Sequence, residues 1–236
     1  MNLCLIRPQE YLSKTRFALR GARMGHVTDV LGLGTGETFS VGHVNGLLGK
    51  ATIESIAADT LVCEADCQHV PCVKPDIELI VALPRPKMLK RLIRTAAELG
   101  VRKLVLINTW KVEKSFWQSP FLAEAVIREQ LLLGLEQAVD TVLPEVIIAK
   151  RFKPFVEDEL PTLLAEREGW IAHPGVAGAC PTAENKPRTI VIGPEGGFTP
   201  YEVEKLIAAG CRPFHLGERI LRVETAVTVC MARFSP

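Results

Sequence analysis

The sequence predicts an α/β protein with a mostly parallel sheet, preceded by a smaller all-β domain. In residues 1 to 72, short β-type runs alternate with glycine, asparagine and aspartate turns, which is typical of a small β-barrel. In residues 73 to 236, strands alternate with helices, the pattern of a parallel sheet covered on both faces. The apolar run IELIVALP at 77 to 84 indicates a strand buried on both of its faces.

The elements of the second region follow in order from local signals. The first helix is predicted in KMLKRLIRTAAELG, where Leu89 and Ile93 share one face, basic residues lie on the other, and Gly100 ends the helix. Ser119 and Pro120 predict the start of the next helix, as a cap followed by a first-turn proline. The remaining predicted strands are KLVLIN, VIIA, WIAH, TIVIG and PFHLG, and the remaining helices are PFVEDELPTLLAERE, one after Thr199 and Pro200, and one at the end of the sequence.

The bulk composition is that of an ordinary globular protein, with 47% hydrophobic and 23% charged residues among 236. No run approaches the roughly 18 apolar residues that a membrane span needs. The opening MNLCLIRPQE lacks the apolar core of an export signal. We therefore expect a cytoplasmic protein with no membrane partner.

The seven cysteines are scattered, which favours free thiols over a disulfide framework. Cys63, Cys67, His69 and Cys72 fall within ten positions and raise the question of a metal site. Zinc sites usually pair their ligands as two couples across a longer loop, and this single cluster does not. We predict no metal, with these cysteines acting as small buried side chains and a surface thiol.

Positive charge is concentrated in two stretches, although the net charge is only +1. The window from Arg85 to Lys114 contains nine basic and two acidic residues, so its net charge is +7 and that of the rest of the chain is −6. A second stretch without acidic residues holds Lys14, Arg16, Arg20 and Arg23. Such segregation favours a surface that faces a polyanion, although two solvated faces would give the same pattern.

The stretch VIGPEGGFTPYE at 191 to 202 reads as a strand, a glycine corner and a helix start. Thr199 and Glu202 have the spacing of a capping box, so Gly193 to Gly197 form the turn at the carboxyl end of the strand. A phosphate cradle would add a lysine followed by serine or threonine, and neither is present. Because Glu195 is the only charge, the corner suits a neutral or cationic ligand, unless it is simply a tight turn.

A second corner of the same kind occurs in FHLGERILRVETA at 214 to 226. Gly217 follows an apolar strand end and precedes four charged residues and a helix start. Two such corners indicate a ligand that is approached closely by the backbone, which glycine permits.

Together, IGPEGGFTPYEVEKLIAAG and LGERILRVETA, within residues 190 to 226, resemble the motifs of the RsmE-like family of SPOUT-class methyltransferases. That family methylates N3 of a uridine in small-subunit ribosomal RNA. The segment HVTDVLGLGTGET at 26 to 38 more loosely resembles its PUA-like RNA-binding barrel. The resemblance implies a trefoil knot in the last third of the chain, S-adenosylmethionine as cofactor, ribosomal RNA as partner and a homodimer.

Roles for individual residues follow if this reaction applies: we assign the catalytic residues from their position and the RNA-binding residues from their charge, and the resemblance implies the cofactor-binding residues. Arg222 would stabilise the charge that develops on the uridine, and Glu224 would assist removal of its N3 proton; a salt bridge of Arg222 with Glu224 or Glu218 is the alternative. RNA-binding residues would be Arg16, Arg20, Arg23, Arg91 and Arg94. The implied cofactor-binding residues are Ala172, His173, Pro174, Gly193, Pro194, Glu195, Gly196, Gly197, Leu216, Gly217, Arg219, Ile220 and Leu221.

The chain departs from the family pattern at Ala138 and Asp140, where the family has serine and arginine, while Gln137 and Pro144 are kept. We expect these positions to face RNA, so the loss of charge there points to a paralogue acting on another RNA site as one alternative. Two others are a noncatalytic RNA-binding module on the same scaffold, and an enzyme that binds a nucleotide phosphate at the glycine corner.

Overall fold

The computed structural model describes residues 2 to 235, which divide into two compact units. The first contains the residues up to Val73 together with Leu135–Leu143, and the second contains Lys74–Gly134 and the residues from Pro144 onward. The sequence-based division at residue 72 placed Leu135–Leu143 in the second region. In the structure this segment groups with the first unit instead.

In the described part of the chain, the first unit contains a five-stranded sheet in the order β1-β3-β4-β5-β2. The pairing of β1 with β3 is parallel and the other pairings are antiparallel. Alternate residues of these strands face a core that includes Phe17, Val41, Ile53 and Leu61. The elements are β1 Cys4–Ile6, β2 Arg16–Leu19, α1 Gly21–Gly25 with a wider helical turn His26–Val30, β3 Thr38–His43, β4 Leu48–Ile56 and β5 Leu61–His69.

The segment Leu135–Leu143 joins the first unit through hydrogen bonds to its edge. The backbone N–H of Leu3 donates to the carbonyl of Glu136 at 3.1 Å, and the hydroxyl of Thr141 donates to the carbonyl of Gly46 at 2.6 Å. Asp140 is buried and accepts the N–H groups of Thr141 and Val142 at 2.7 and 3.1 Å. The expectation that position 140 faces RNA is therefore wrong, since this carboxylate holds the turn.

Within residues 2 to 235, the second unit contains a six-stranded sheet in the order β11-β9-β10-β6-β7-β8, and every pairing is parallel. This confirms the predicted α/β class with a parallel sheet. The two central strands β6 and β10 are buried along their whole length because other strands and helices cover them. The strands are β6 Ile77–Ala82, β7 Lys103–Ile107, β8 Glu145–Ala149, β9 Glu168–Ala172, β10 Arg188–Ile192 and β11 Cys211–Phe214.

The helices of the second unit follow the predictions with two differences. Ser119 caps only a single short turn at Pro120–Leu122, and the long helix begins at Glu124. The predicted helix of residues 154 to 168 is shorter and contains a wide turn at Phe155–Glu159 ahead of Pro161, whose ring is incompatible with an unbroken helix. The helices are α2 Pro86–Glu98, α3 Glu124–Ala138, α4 Phe152–Pro154, α5 Leu160–Leu163, α6 Pro200–Ala208 and α7 Val223–Phe234.

The cysteine cluster has the burial that was predicted for it. Cys63 is buried in the core of the first unit, and burial raises the pKa of its thiol to about 12. Cys67 is half-buried and Cys72 is exposed. Within residues 2 to 235, no group of three or more histidine, cysteine, aspartate or glutamate side chains is arranged to hold a metal ion, and no helix is both long and apolar enough to span a membrane.

Gly134 sets the distance between α2 and α3. A Cβ at this position would lie 2.4 Å from the carbonyl oxygen of Arg94 and 2.8 Å from the Cβ of Ala97. We expect Gly134→Ala to lower the free energy of unfolding by about 1–3 kcal/mol, because the two helices must separate to admit the methyl group. Urea unfolding measures the loss, and Gly34→Ala, where the nearest atom is 3.7 Å away, serves as the control. Equal stability of the two variants would contradict the close packing at Gly134.

Candidate active site

The loops that follow β9, β10 and β11 meet around one cavity. They do so because these three strands are neighbours and parallel, so their carboxyl ends lie at the same edge of the sheet. All of the residues that the sequence proposed for cofactor binding line this cavity, with the exception of Gly196. Four further lining residues were not predicted, and these are Ile192, Phe198, Val223 and Ala226.

The first glycine corner is held by its own turn and by the helix that follows it. The N–H of Gly197 donates to the carbonyl of Pro194 at 2.8 Å, and Gly197 has a φ of +70°, where residues with a side chain are strained. The predicted capping box is confirmed, since the N–H of Thr199 donates to Glu202 Oε2 at 2.8 Å and the N–H of Glu202 donates to Thr199 Oγ1 at 3.3 Å. The Glu195 side chain is exposed beside the cavity.

The second corner turns at Gly217, whose φ of +112° requires glycine. Its N–H donates to Nδ1 of His215 at 3.0 Å. The N–H of His215 in turn donates to the carbonyl of Gly178 at 2.9 Å, so the long loop after β9 returns to the end of β11. A Cβ on Gly178 would lie only 2.3 Å from the carbonyl oxygen of Pro213, so the two segments can lie this close because residue 178 is a glycine.

His173 is half-buried in the cavity wall, and its N–H donates to the carbonyl of Phe214 at 2.9 Å. Burial and the nearby charge of Lys111 lower the pKa of its imidazole below the ordinary value of 6.5. The ring is therefore neutral at pH 7. A neutral ring adds no positive charge beside a cationic ligand.

Lys111 explains why Gly196 does not line the cavity. Its Nζ donates to the carbonyl of Gly196 at 2.6 Å, and a Cβ on Gly196 would lie 2.9 Å from Cδ of the same lysine. Gly196 therefore contacts the loop after β7, a loop that we did not place at the site. The only indication in the sequence of a functional role for this loop was that Lys111 belongs to the basic window from Arg85 to Lys114.

The two residues proposed for catalysis lie at the start of α7, and neither lines the cavity wall. Arg222 is the exposed N-cap residue between Leu221 and Val223, which do line it. Among the described residues, no ion pair of Arg222 with Glu224 or Glu218 is formed, so the salt-bridge alternative is absent from this structure. Glu224 is half-buried in the first turn of the helix.

The arginines proposed for RNA contact fall into different environments. In the second unit, Arg91 is exposed on α2, and the exposed Arg94 donates to Gln130 Oε1 at 2.8 Å. In the first unit, Arg16 pairs with Glu54 at 2.7 Å and Arg20 donates to Thr60 Oγ1 at 3.1 Å.

Arg23 does not belong to an RNA-facing surface, contrary to the prediction. Its side chain is only 18% exposed and pairs with Glu10 at 3.0 Å and with Glu136 at 3.3 Å. Its guanidinium also donates to the carbonyl of Leu5 at 2.6 Å. Because these contacts hold the guanidinium inside the first unit, Arg23 is a structural residue.

Comparisons with known proteins agree with this architecture. Residues 72–235 match the family described as RNA methyltransferase domain. The ribosomal RNA small subunit methyltransferase E of Synechocystis is 30% identical over 98% of this chain and 76% of its own length. The protein of the same name from Treponema pallidum is 27% identical over 98% of this chain and 90% of its own length.

A solved structure has the same fold along nearly the whole chain. It is the ribosomal RNA small subunit methyltransferase E of Neisseria gonorrhoeae bound to S-adenosyl methionine. The TM-score is 0.76 at 19% identity, with 98% of this chain and 95% of that chain covered. From the family match, the relatives and the arrangement of the two glycine corners, the chain belongs to the RNA methyltransferase family that includes the ribosomal RNA small subunit methyltransferases E.

Proposed function

We propose that this protein transfers a methyl group from S-adenosylmethionine to N3 of a uridine in small-subunit ribosomal RNA. The observation that carries the proposal is that the loops after β9, β10 and β11 line one cavity, with residues of both glycine corners in its wall. The family to which the chain belongs supports the reaction class. The names of its relatives support the small ribosomal subunit as the source of the substrate.

The cavity wall fits this cofactor by its chemistry. Apolar side chains of Ile192, Leu216, Leu221 and Val223 suit an adenine ring, and the backbone of the two corners offers hydrogen-bonding groups to the polar parts of the molecule. The exposed carboxylate of Glu195 suits its positive charges and would repel a triphosphate. The cofactor-binding set proposed from the sequence is kept, with Gly196 acting through its contact with Lys111.

When bound, S-adenosylmethionine supplies a methyl group on a sulfonium, and its S–CH3 bond breaks as the N3–CH3 bond of uridine forms. The protein's part is to hold the uridine in line and to handle the N3 proton. We assign stabilisation of the negative charge on the uridine O2 and O4 to the Arg222 guanidinium, which is exposed beside the cavity and unpaired among the described residues. Glu224, two residues further along, accepts the N3 proton.

The strand order supports the proposed trefoil knot of the SPOUT class. After β9, the chain forms β10 between β9 and β6, and it then crosses back to form β11 on the other side of β9. The last three strands are therefore not in sequence order across the sheet. The long loop of residues 173 to 187 makes the first of these connections, from β9 to β10, and on its way contacts the end of β11.

The first unit is proposed to be a PUA-like RNA-binding domain, with Arg16 and Arg20 on its surface. In the second unit, Arg91 and Arg94 on the exposed face of α2 are proposed to contact the RNA backbone. A homodimer is proposed through α7, where Thr225, Thr228 and Ala232 leave an exposed face of short side chains. Ribosomal RNA as a substrate is consistent with a cytoplasmic location.

Methylation of ribosomal subunits tests the proposed function. Small ribosomal subunits from a strain lacking the gene are incubated with the protein and methyl-labelled S-adenosylmethionine, and the labelled nucleoside is identified by mass spectrometry. We expect N3-methyluridine at one position of the RNA. A different labelled nucleoside in this RNA would identify a paralogue with a different target site, and no label in the small-subunit RNA would refute the proposal.

A further inference from the structure

The loop after β7 presents a tryptophan to solvent. The side chain of Trp110 is 84% exposed, whereas the other two tryptophans, Trp117 and Trp170, are half-buried. An indole of this size normally finds a buried position, because burying its surface is strongly favourable. Its exposure on a folded loop therefore needs an explanation.

The loop that carries Trp110 is held in a fixed position. The N–H of Trp110 donates to Glu202 Oε1 at 2.7 Å, and Glu202 is only 3% exposed. The other carboxylate oxygen of Glu202 accepts the N–H and hydroxyl of Thr199 at 2.8 and 3.0 Å. Val112 is buried, and its N–H donates to the carbonyl of Thr109 at 3.1 Å. A buried carboxylate thus anchors the backbone while the indole stays outside.

The loop also borders the candidate active site. Lys111, the next residue, contacts Gly196 of the first glycine corner through the 2.6 Å hydrogen bond described above. The charge of Lys111 also lowers the pKa of His173, which lies in the cavity wall on the loop after β9. Trp110 is therefore adjacent in sequence to a residue that hydrogen-bonds to one of the three loops enclosing the cavity and whose charge influences a second.

We propose that Trp110 stacks on a base of the RNA substrate at the mouth of the cavity, with Lys111 beside it to attract the backbone phosphates. This inference rests on the proposed function. Single-stranded RNA is commonly held by stacking of its unpaired bases on aromatic rings. Stacking uses the face of a base and leaves its Watson–Crick edge free. In uridine, this edge carries N3, the atom that is proposed to receive the methyl group.

The size of the expected effect follows from stacking on other proteins. Replacing one stacking aromatic residue with alanine weakens single-strand binding by about 5- to 150-fold. We expect Trp110→Ala to weaken binding to small ribosomal subunits by a factor in this range and to leave the affinity for S-adenosylmethionine unchanged. Trp110→Phe, which keeps an aromatic face, should recover most of the binding, whereas Trp110→Leu should not.

The test compares wild-type protein with these three variants and with Tyr201→Ala. Tyr201 serves as the control because it is also an exposed aromatic residue, at 50%, and it lies in the first turn of α6. Binding to small ribosomal subunits is measured by filter retention, cofactor binding by titration calorimetry, and molecular mass by light scattering.

Several outcomes would overturn the inference. These are unchanged RNA binding in Trp110→Ala, equal recovery by Leu and Phe, or an equal loss in Tyr201→Ala. A fall in molecular mass in Trp110→Ala would assign the indole to a contact between two copies of the chain instead. If wild-type protein is active in methyl transfer, these results refute only the stacking role; if wild-type protein transfers no methyl group, the proposed function and the inference fail together.

Discussion

Replacing Arg222 with alanine is expected to lower kcat for methyl transfer to ribosomal RNA by about 10²–10³-fold while leaving S-adenosylmethionine affinity nearly unchanged. Removal of one group that stabilises a developing oxyanion has an effect of this size in other enzymes. The split between kcat and binding is expected because Arg222 lies outside the cavity wall, whereas its neighbours Leu221 and Val223 lie within it. Single-turnover methylation assays and titration calorimetry measure the two quantities separately.

Arg233 offers the matched control for this experiment. It is an exposed arginine near the other end of α7, so Arg233→Ala removes the same charge from the same helix away from the cavity. We expect its kcat to stay near that of the wild-type protein. Parallel loss of turnover and cofactor binding in Arg222→Ala would contradict the catalytic assignment, because it would indicate a damaged cavity.

The second large effect is expected on stability, from Arg167→Met. Arg167 lies at the amino edge of the sheet with a side chain that is 14% exposed, and it donates to Asp76 Oδ1 and to the carbonyl of Asp76, both at 2.8 Å. It also donates to the carbonyl of Arg188 at 3.0 Å and to Thr189 Oγ1 at 3.2 Å. Asp76 is 30% exposed and keeps its ion pair with Arg102, but the substitution leaves four acceptors without their Arg167 donor. We therefore expect a loss of about 2–4 kcal/mol in urea unfolding.

The acid sensitivity of the protein checks the same contact independently. Burial raises the pKa of Asp76, but the hydrogen bond and charge of Arg167 and the charge of Arg102 outweigh it, so the pKa lies below the ordinary value of 3.8. The stabilisation from Asp76 is therefore fully present above pH 3.8 and is lost as the pH falls below it. In Arg167→Met this acid-dependent loss should be smaller than in the wild-type protein.

Arg128→Ala is the control for stability, because Arg128 is exposed on α3 and a surface change of this kind usually alters stability by about 0.5 kcal/mol or less. If Arg167→Met is as stable as Arg128→Ala, the network around Asp76 does not hold the sheet edge. An unchanged acid transition in Arg167→Met would assign the acid-sensitive stabilisation to other carboxylates.

The two glycine corners were predictable because their signals are local. The order of apolar strand, glycine turn and capping box fixes where Gly193 to Gly197 must lie, and a parallel sheet places Gly217 at the same edge. The apolar runs for β6, β7 and β10 were equally direct, since strands buried on both faces contain few polar residues. These parts of the fold required no knowledge of distant contacts.

The features that sequence reasoning missed depend on contacts between distant residues. Lys111 meets Gly196 across 85 positions, and the N–H of Trp110 meets Glu202 across 92, so no local pattern indicated that the loop after β7 borders the cavity. Arg23 was assigned to RNA because charge patterns do not reveal partners such as Glu136, which is 113 positions away.

Titration calorimetry of the wild-type protein with S-adenosylmethionine and, separately, with ATP tests most directly whether the cavity between the glycine corners binds a methyl donor. We expect one S-adenosylmethionine to bind per chain and ATP to give no binding heat, since Glu195 repels a triphosphate. Lys111, whose Nζ donates to the carbonyl of Gly196, does not line the cavity. Binding of ATP without S-adenosylmethionine, or of neither compound, would contradict the account.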